Sequence, residues 1–398
     1  MVGKMKPGHL SINRKRGIST TIAAVTVIIV IIIAAAAVAF TLSSSKTSTV
    51  TSTVVSTSSG STVTSTIVST SSGKTNYLIY FYMESFDVTY FTNIIDGANY
   101  AASQFNAAYP NMTVSIVSFN GQDDPALQTS QIQDGISVHP AGMIVDPVTD
   151  SVSAAVSSAV AAGIPVGIVD RALTNQSGTL FVATSNQTAY GQMIAETAMN
   201  KMKSMNIPTP WNVVSIQGTI GSPTNTERNN GILSVLNAYA ANGTIKIVSD
   251  SQSGQWLEQP TVSVMSALLA QSKNINLVIT SNGPEGEGVA TAITQAGLTP
   301  GKNIYIVSGD GGAGTYGLIS SGQILASVDQ EPYVMGYWGT IMLMNNVLHN
   351  ITPPTYLVPT AIISVDSTNV AHVGPYGEPL NVTAVPPPPL PQGYGPMP

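Results

Sequence analysis

Residues 213–228 read VVSIQGTIGSPTNTER. An apolar run, Val213–Gln217, ends in a glycine-bearing turn, and a helix-period segment opens behind it near Thr226. That succession is the strand–turn–helix unit of a parallel sheet covered by helices. Working outward, the same alternation fills most of the chain. Strands are expected at Tyr77–Tyr82, Thr113–Ser118, Gly142–Val145, Val166–Ile168, Val213–Gln217, Ile245–Val248, Leu277–Thr280, Ile304–Ser308 and Leu325–Val328. Helices are expected near Thr92–Asn106, Val152–Ala162, Tyr190–Lys203, Thr226–Tyr239, Thr261–Gln271, Glu287–Gln295 and Val334–Leu348. The pattern predicts an α/β protein, and a region of about 310 residues exceeds what one core usually serves, so two lobes are expected.

In parallel α/β sheets, ligands bind outside the carboxyl ends of the strands. The residues that follow the expected strands are therefore the ones to inspect. They include Glu84, Asp87, Asp146, Asp170, Arg171, Thr224, Asn225, Arg228, Asn282, Asp310 and Gln330, with the aromatic residues Phe86, Tyr90, Phe91 and Trp256 among them. Only 9 % of the 398 residues are charged, against roughly 25 % in an ordinary soluble protein. Five of the 14 basic residues precede Ile18, and beyond that point the chain holds only two arginines, Arg171 and Arg228. Arg171 directly follows an apolar run, and Arg228 opens the helix of the quoted stretch. A guanidinium offers five donors in a fixed fork. With acceptors from Asp170, Asp310, Asn282 and Gln330, the pair suits a ligand with many adjacent hydroxyls, and the rings offer faces for a sugar to stack on. The competing reading is that Asp170 and Arg171 form an ion pair with a purely structural role.

The ends of the chain read differently. Residues 1–17 form a basic leader, and 18–40 a membrane-length apolar segment, with Ile22–Phe40 apolar except Thr26. Such a stretch is about long enough to span a bilayer. Lys4, Lys6, Arg14, Lys15 and Arg16 on its N-terminal side place that end in the cytoplasm and the rest of the chain outside. Residues 41–75 are almost entirely Ser, Thr, Val and Gly and contain a tandem repeat, STVTSTVVSTSSG at 48–60 and STVTSTIVSTSSG at 61–73. Two copies are too few for a β-solenoid, and the stretch is expected to be a flexible stalk. Asn-x-Ser/Thr sequons occur at Asn111, Asn175, Asn186, Asn242, Asn350 and Asn381, compatible with an exported glycoprotein. Residues 386–398 are a proline-rich tail, read as a spacer or a docking segment.

The segment Arg14-Lys15-Arg16-Gly17-Ile18-Ser19-Thr20 resembles the class III, prepilin-like signals of archaea, which are cut after the glycine and keep the apolar helix. Filament subunits carry Glu at the fifth mature position, where this chain has Ile22. A secretory signal cut after the apolar region and an uncleaved anchor are the other two readings.

From about Tyr77 to Asp366 the chain resembles the periplasmic-binding-protein type 1 family, specifically the ribose-, xylose- and galactose-type binding proteins of ABC sugar importers. The landmarks stand in family order: Tyr90-Phe91 ahead of Asp96-Gly97-Ala98, Asp170-Arg171, the crossover Ser185-Asn186, Gln217-Gly218 before Arg228, then Trp256, Asn282, Asp310 and Gln330. The resemblance implies a two-lobed fold, each lobe a parallel sheet flanked by helices. It divides the chain into an N-terminal lobe of 76–185 with about 331–352, and a C-terminal lobe of 186–330 with about 353–385. It implies ligand contacts from Asp87, Tyr90, Phe91, Asp170, Arg171, Asn225, Arg228, Trp256, Asn282, Asp310 and Gln330. It also implies no cofactor, no metal, no bond breaking, and delivery of the captured monosaccharide to ABC permease subunits driven by a cytoplasmic ATPase. Three departures bear on the sugar: Gly283-Pro284-Glu285 after Asn282, Gly309 before Asp310, and Asp87-Val88 in the first ligand loop. Xylose or arabinose is favoured, then glucose or galactose, then ribose.

Composition excludes other classes. No cysteine is present, which removes disulfide scaffolds and thiol enzymes. A net charge of −6 with scarce Lys and Arg argues against nucleic-acid binding. Sugar-responsive repressors share the resemblance but begin with a helix-turn-helix, where this chain has its apolar segment. A surface glycoside hydrolase using carboxylates such as Glu285, Glu287 and Asp310 is the enzyme alternative, an adhesion or filament protein the structural one, and a binder of a nucleoside or other small polyol the alternative ligand reading.

Overall fold

The computed structural model describes residues 49–58, 61–70, 74–271, 274–353 and 357–374. The leader and the apolar segment up to residue 40, and the tail at 386–398, lie outside the described residues. Among the described residues, no helix is long and apolar enough to cross a membrane.

The chain divides into two compact units, Met1–Gly73 and Lys74–Pro398. In the first, β1 (Thr49–Ser58) and β2 (Ser61–Thr70) pair antiparallel from Thr49↔Thr70 to Ser58↔Ser61. Within the stretch expected as a stalk, each copy of the repeat supplies one strand of a hairpin. Its β-branched Thr, Val and Ile residues are strand formers.

The second unit begins with β3 (Thr75–Met83), α1 (Thr89–Ala108), β4 (Met112–Asn120), α2 (Pro125–Val138), β5 (Gly142–Val145), α3 (Ser153–Ala161), β6 (Val166–Val169) and β7 (Val182–Thr184). It continues through α4 (Gln187–Ser204), β8 (Trp211–Gln217), α5 (Pro223–Ala241), β9 (Ile245–Ser253), α6 (Glu258–Gln271), β10 (Leu277–Thr280), α7 (Gly283–Gln295), β11 (Tyr305–Gly309), α8 (Ala313–Ser320) and β12 (Ala326–Asp329). It closes with α9 (Pro332–His349), β13 (Leu357–Pro359) and β14 (Ile363–Asp366). These strands build two six-stranded sheets, ordered β13-β7-β6-β5-β3-β4 and β14-β12-β11-β10-β8-β9. Every pairing is parallel except β12 with β14.

Each sheet carries an apolar cluster on both faces, as parallel sheets require. In β3, Ile79, Phe81 and Met83 pack toward α1 and α9, whereas Tyr80 and Tyr82 pack with Ile132 of α2 and Val156 of α3. In β8, Val213 joins α4 and α5 residues, and Val214 and Ile216 join those of α6 and α7. Two helix pairs come unusually close. A Cβ added at Gly97 of α1 would stand 1.9 Å from the Tyr333 carbonyl oxygen of α9, and one at Gly191 of α4 would stand 1.9 Å from that of Arg228 in α5. Gly191 therefore sets the depth at which the Arg228 helix sits.

The chain passes between the sheets three times: from β7 to α4, from β12 to α9, and from β13 to β14. The crossovers are laced together. Ser185 Oγ lies 2.8 Å from Thr360 Oγ1, and Thr360 Oγ1 donates to the Gln330 carbonyl at 3.1 Å. The expected return to the second lobe at about 353 is corrected, because β13 pairs with β7 in the first sheet and the switch comes only after Pro359. Three residues is too short a run to carry a strand pattern. Helix α2 is also unforeseen in the sequence; it is polar, and its start is fixed by Pro125 and by Asp124, whose Oδ1 accepts from the Ala126 and Leu127 amides.

Candidate functional site

The carboxyl ends of the two sheets hold most of the buried polar side chains of the second unit. In the second lobe they converge on Arg228, which is 2 % exposed. Ser222 caps α5, accepting from the Asn225 amide, and the first turns of that helix carry Arg228 beneath the strand ends. Its Nε and Nη2 donate to Gln187 Oε1 at 3.0 and 2.8 Å. Its Nη1 donates to Asp310 Oδ2 at 2.8 Å and to the Ser281 carbonyl at 2.7 Å. The guanidinium also lies over the rings of Tyr190 (4.5 Å) and Trp256 (5.0 Å). Burial opposes its charge, but Asp310 and its neighbours outweigh this and raise its pKa above the ordinary arginine value.

Asp310 follows β11 with φ 38°, in the left-handed region that non-glycine residues rarely enter. Its Oδ1 accepts from the Tyr190 hydroxyl and from Gln330 Nε2, each at 2.7 Å. Gln330 Oε1 in turn accepts from Gln187 Nε2 at 3.0 Å. Below this, Asp329 accepts from the Gly311 amide, Tyr316 Oη and Ser327 Oγ, which anchors the Asp310 loop.

In the first lobe, adjacent strands β3, β5 and β6 end in Glu84, Asp146 and Asp170-Arg171. The Arg171 guanidinium pairs with Glu84, stands 3.7 Å from Asp170 Oδ2, and donates to the Val148 carbonyl at 3.1 Å. Burial pushes the Glu84 carboxyl up to about 7, against the opposing pull of Arg171. Asp146 is wholly buried, and its pKa is raised by that burial and by the Asp170 charge. Asp170 has φ 63°, and its Oδ1 accepts from the Tyr90 hydroxyl at 2.7 Å. Burial and Asp170 raise the Tyr90 hydroxyl's pKa; Asp310 and Arg228 of the other lobe also act on it. The two clusters therefore face one another.

Of the expected ligand residues, the structure brings Asp170, Arg171 and Tyr90 together in one lobe and Arg228, Asp310, Gln330 and Trp256 in the other. Asn225 joins them, 2 % exposed, with its Nδ2 donated to Gln217 Oε1 at 2.9 Å. Phe91 meets the Tyr90 ring edge-on at 5.5 Å. Asp87 is exposed, and its amide rests on Ser85 Oγ at 3.2 Å, outside both networks. Asn282 makes two local bonds: its Oδ1 caps α7 through the Glu285 amide at 3.1 Å, and its Nδ2 donates to the Trp256 carbonyl at 3.0 Å.

Gln187, Tyr190 and Asp329 escape sequence reading, and Glu285 is read only as a carboxylate of the hydrolase alternative, though each is buried in the network. Gln187 and Tyr190 sit just after β7, a strand too short to recognise; the Ser185-Asn186 crossover marks the place but not these side chains. Among the described residues, no group of three or more His, Asp or Glu side chains is arranged to hold a metal ion. Buried polar atoms without a hydrogen-bond partner within the described protein include Asp146 Oδ1, Arg171 Nε and Asn225 Oδ1 at these strand ends.

Two six-stranded sheets, three laced crossovers and polar–aromatic clusters at the strand ends define a two-lobed α/β protein. The chain belongs to the periplasmic binding protein domain family, whose match spans residues 79–350. It is 30 % identical over 174 residues to a galactofuranose-binding protein of Escherichia coli, covering 42 % of this chain and 52 % of that protein. It is 24 % identical to a ribose import binding protein of Haemophilus influenzae, covering 65 % and 82 %. The chain spans about half the length of the galactofuranose- and allose-binding relatives it matches. A crystal structure of a carbohydrate transporter solute binding protein from Agrobacterium radiobacter, in complex with D-arabinose, superposes with a TM-score of 0.64 at 21 % identity, over 76 % of this chain and 97 % of that one.

Proposed function

We propose that this chain is the extracellular substrate-binding protein of a sugar ABC importer. It captures a monosaccharide between its hinged lobes and hands it to permease subunits served by a cytoplasmic ATPase. The observation that carries this reading is the set of buried, unpartnered atoms at the facing strand ends, Asp146 Oδ1, Arg171 Nε and Asn225 Oδ1. A polyhydroxylated ligand supplies both donors and acceptors to meet them. Tyr90, Phe91 and Trp256 supply apolar ring surface beside those groups. The laced crossovers at Ser185, Gln330 and Thr360 are where a hinge between the lobes would turn.

The similar proteins that bind galactofuranose, allose and ribose support the ligand class. For this chain we favour a pentose, xylose or arabinose, ahead of glucose or galactose and then ribose. The apolar stretch Ile22–Phe40 with its basic flank supports a membrane anchor that leaves the binding unit outside the cell. The resemblance of Arg14–Thr20 to class III signals supports cleavage after Gly17 with the anchor retained. The exposed sequon residues Asn111, Asn175, Asn186, Asn242 and Asn350 are open to glycosylation on that side.

The hydrolase alternative needs two carboxyls free to flank a glycosidic bond. Glu285 accepts backbone amides on both oxygens, Glu287 accepts from Thr315 Oγ1, and Asp310 is held by Arg228, Tyr190 and Gln330. Those contacts count against it. The test is a thermal-shift screen of the full chain in detergent micelles against a monosaccharide panel. A concentration-dependent rise in melting temperature with one or a few sugars supports the reading; no rise with any sugar, or release of reducing ends from a glycan panel, defeats it.

A further inference from the structure

We propose that Glu285, acting with Asn282, is a positioning residue that presets the Trp256 ring as a fixed wall of the inter-lobe site and thereby sets ligand affinity. This rests on the sugar-binding reading above.

Trp256 sits in the turn between β9 and α6 with φ 64°, directly after Gln255 at φ 58°. Two consecutive bulky residues in the left-handed region are costly, and such a conformation persists only where the surroundings over-determine it. Here both backbone groups of Trp256 are held by side chains from the start of α7. Its amide donates to Glu285 Oε1 at 3.1 Å, and its carbonyl accepts from Asn282 Nδ2 at 3.0 Å. The two clamping side chains are themselves fixed. Glu285 Oε2 accepts from the Ser281 amide at 3.0 Å, and the Glu285 amide caps onto Asn282 Oδ1 at 3.1 Å.

Glu285 is wholly buried. A Cβ at Gly254 would stand 2.8 Å from Glu285 Cγ and Oε1, so the loop closes tightly over the carboxyl. No cation pairs with it among the described ion pairs. Burial pushes its pKa up to about 8 despite the amides it accepts from. A buried carboxyl without a cation is costly unless its bonds are needed, and the bonds it makes are those that shape this turn. The ring is placed as firmly as the backbone. It lies on Gly218, where a Cβ would stand 2.3 Å from Cε2 and Cζ2, and the Arg228 guanidinium covers it at 5.0 Å from the centroid.

The test uses the full chain at pH 9, where the Glu285 carboxylate accepts both amides, with Glu285→Gln, which keeps one acceptor and turns a donor toward the second amide. Trp211 and Trp338 are buried, at 1 % and 4 % exposure, whereas Trp256 is half-buried, so acrylamide-quenchable emission reports Trp256. The expected result is a rise in quenching, with affinity for the tightest of D-arabinose, D-galactose and D-ribose falling about tenfold. In a Trp256→Ala background, Glu285→Gln is expected to change affinity by less than about twofold. Unchanged quenching, or equal losses in both backgrounds, overturns the proposal. Amide exchange in the wild-type chain needs no variant: a protected Trp256 amide supports the clamp, and free exchange there overturns it. If none of the three sugars binds the wild type, the sugar reading is what suffers, while quenching and exchange still decide the clamp.

Discussion

Replacing Arg228 with alanine removes the centre of the second-lobe network. Asp310 loses its charged donor at 2.8 Å, the Ser281 carbonyl loses its donor, and Gln187 Oε1 loses two. The Tyr190 and Trp256 rings lose the guanidinium between them. Breaking a buried ion pair by removing one partner costs about 3–5 kcal/mol. The Asp310 side chain retains 14 % exposure and two other donors, Tyr190 and Gln330. These place the cost at the lower end, about 3 kcal/mol. For a fold of this size that corresponds to a melting temperature lower by roughly 5 °C. Differential scanning calorimetry of wild type and Arg228→Ala reads it directly. Arg228→Lys keeps the charge but cannot fork between Gln187, Ser281 and Asp310, and is expected to fall between the two. Calorimetric titration with the sugar found by screening should show a larger proportional loss for Arg228→Ala than any change in stability explains. An alanine variant that melts within about 2 °C of wild type and binds sugar unchanged would refute the account of this residue.

Gly191→Ala should lower stability by about 1–3 kcal/mol, because its Cβ would stand 1.9 Å from the Arg228 carbonyl oxygen, and chemical denaturation measures it. Asp366 is raised by burial but pulled further the other way by Lys201 and Thr368, to about 2. Its contribution is therefore present above the ordinary carboxylate value and lost as pH falls through about 2. Melting curves of Asp366→Asn should thus lie below wild type near neutral pH and converge with it in strong acid. Burial raises Glu84 to about 7, Asp329 to about 7 and Glu285 to about 8. Between the unfolded value and these, the folded chain binds more protons, so stability falls as pH rises. The melting temperature should be higher near pH 5 than near pH 8 by about the same logic, and Asp329→Asn should flatten part of that slope.

Strands buried on both faces were legible in the sequence because nothing polar interrupts them: Gly142–Val145 and Leu277–Thr280 appear in the structure with the expected bounds. Elements without a period were not. Strands β7 and β13 are three residues long, and α8 is a glycine-bearing stretch of eight. The repeat was read through its composition, which promised no core, yet pairing two strands needs only β-branched residues in register. At the site, scarcity was the useful signal. In a chain nearly free of arginine, Arg171 and Arg228 marked the two facing clusters. Gln187 and Tyr190 carried no such mark, since Gln and Tyr at the start of a helix usually mean nothing. Asn282 shows the converse limit. The residue stands at the expected strand end, but an asparagine there also caps a helix, and its side chain serves the cap and the Trp256 carbonyl with one bond each.

The central claim is capture without chemistry. Isothermal titration of the full chain with the best sugar from the screen, followed by mass analysis of the recovered ligand, tests it most directly. The account predicts saturable one-to-one binding, strongly weakened by Arg228→Ala, with the sugar recovered intact. Absence of saturable heat with every monosaccharide, or a ligand recovered chemically altered, would contradict it.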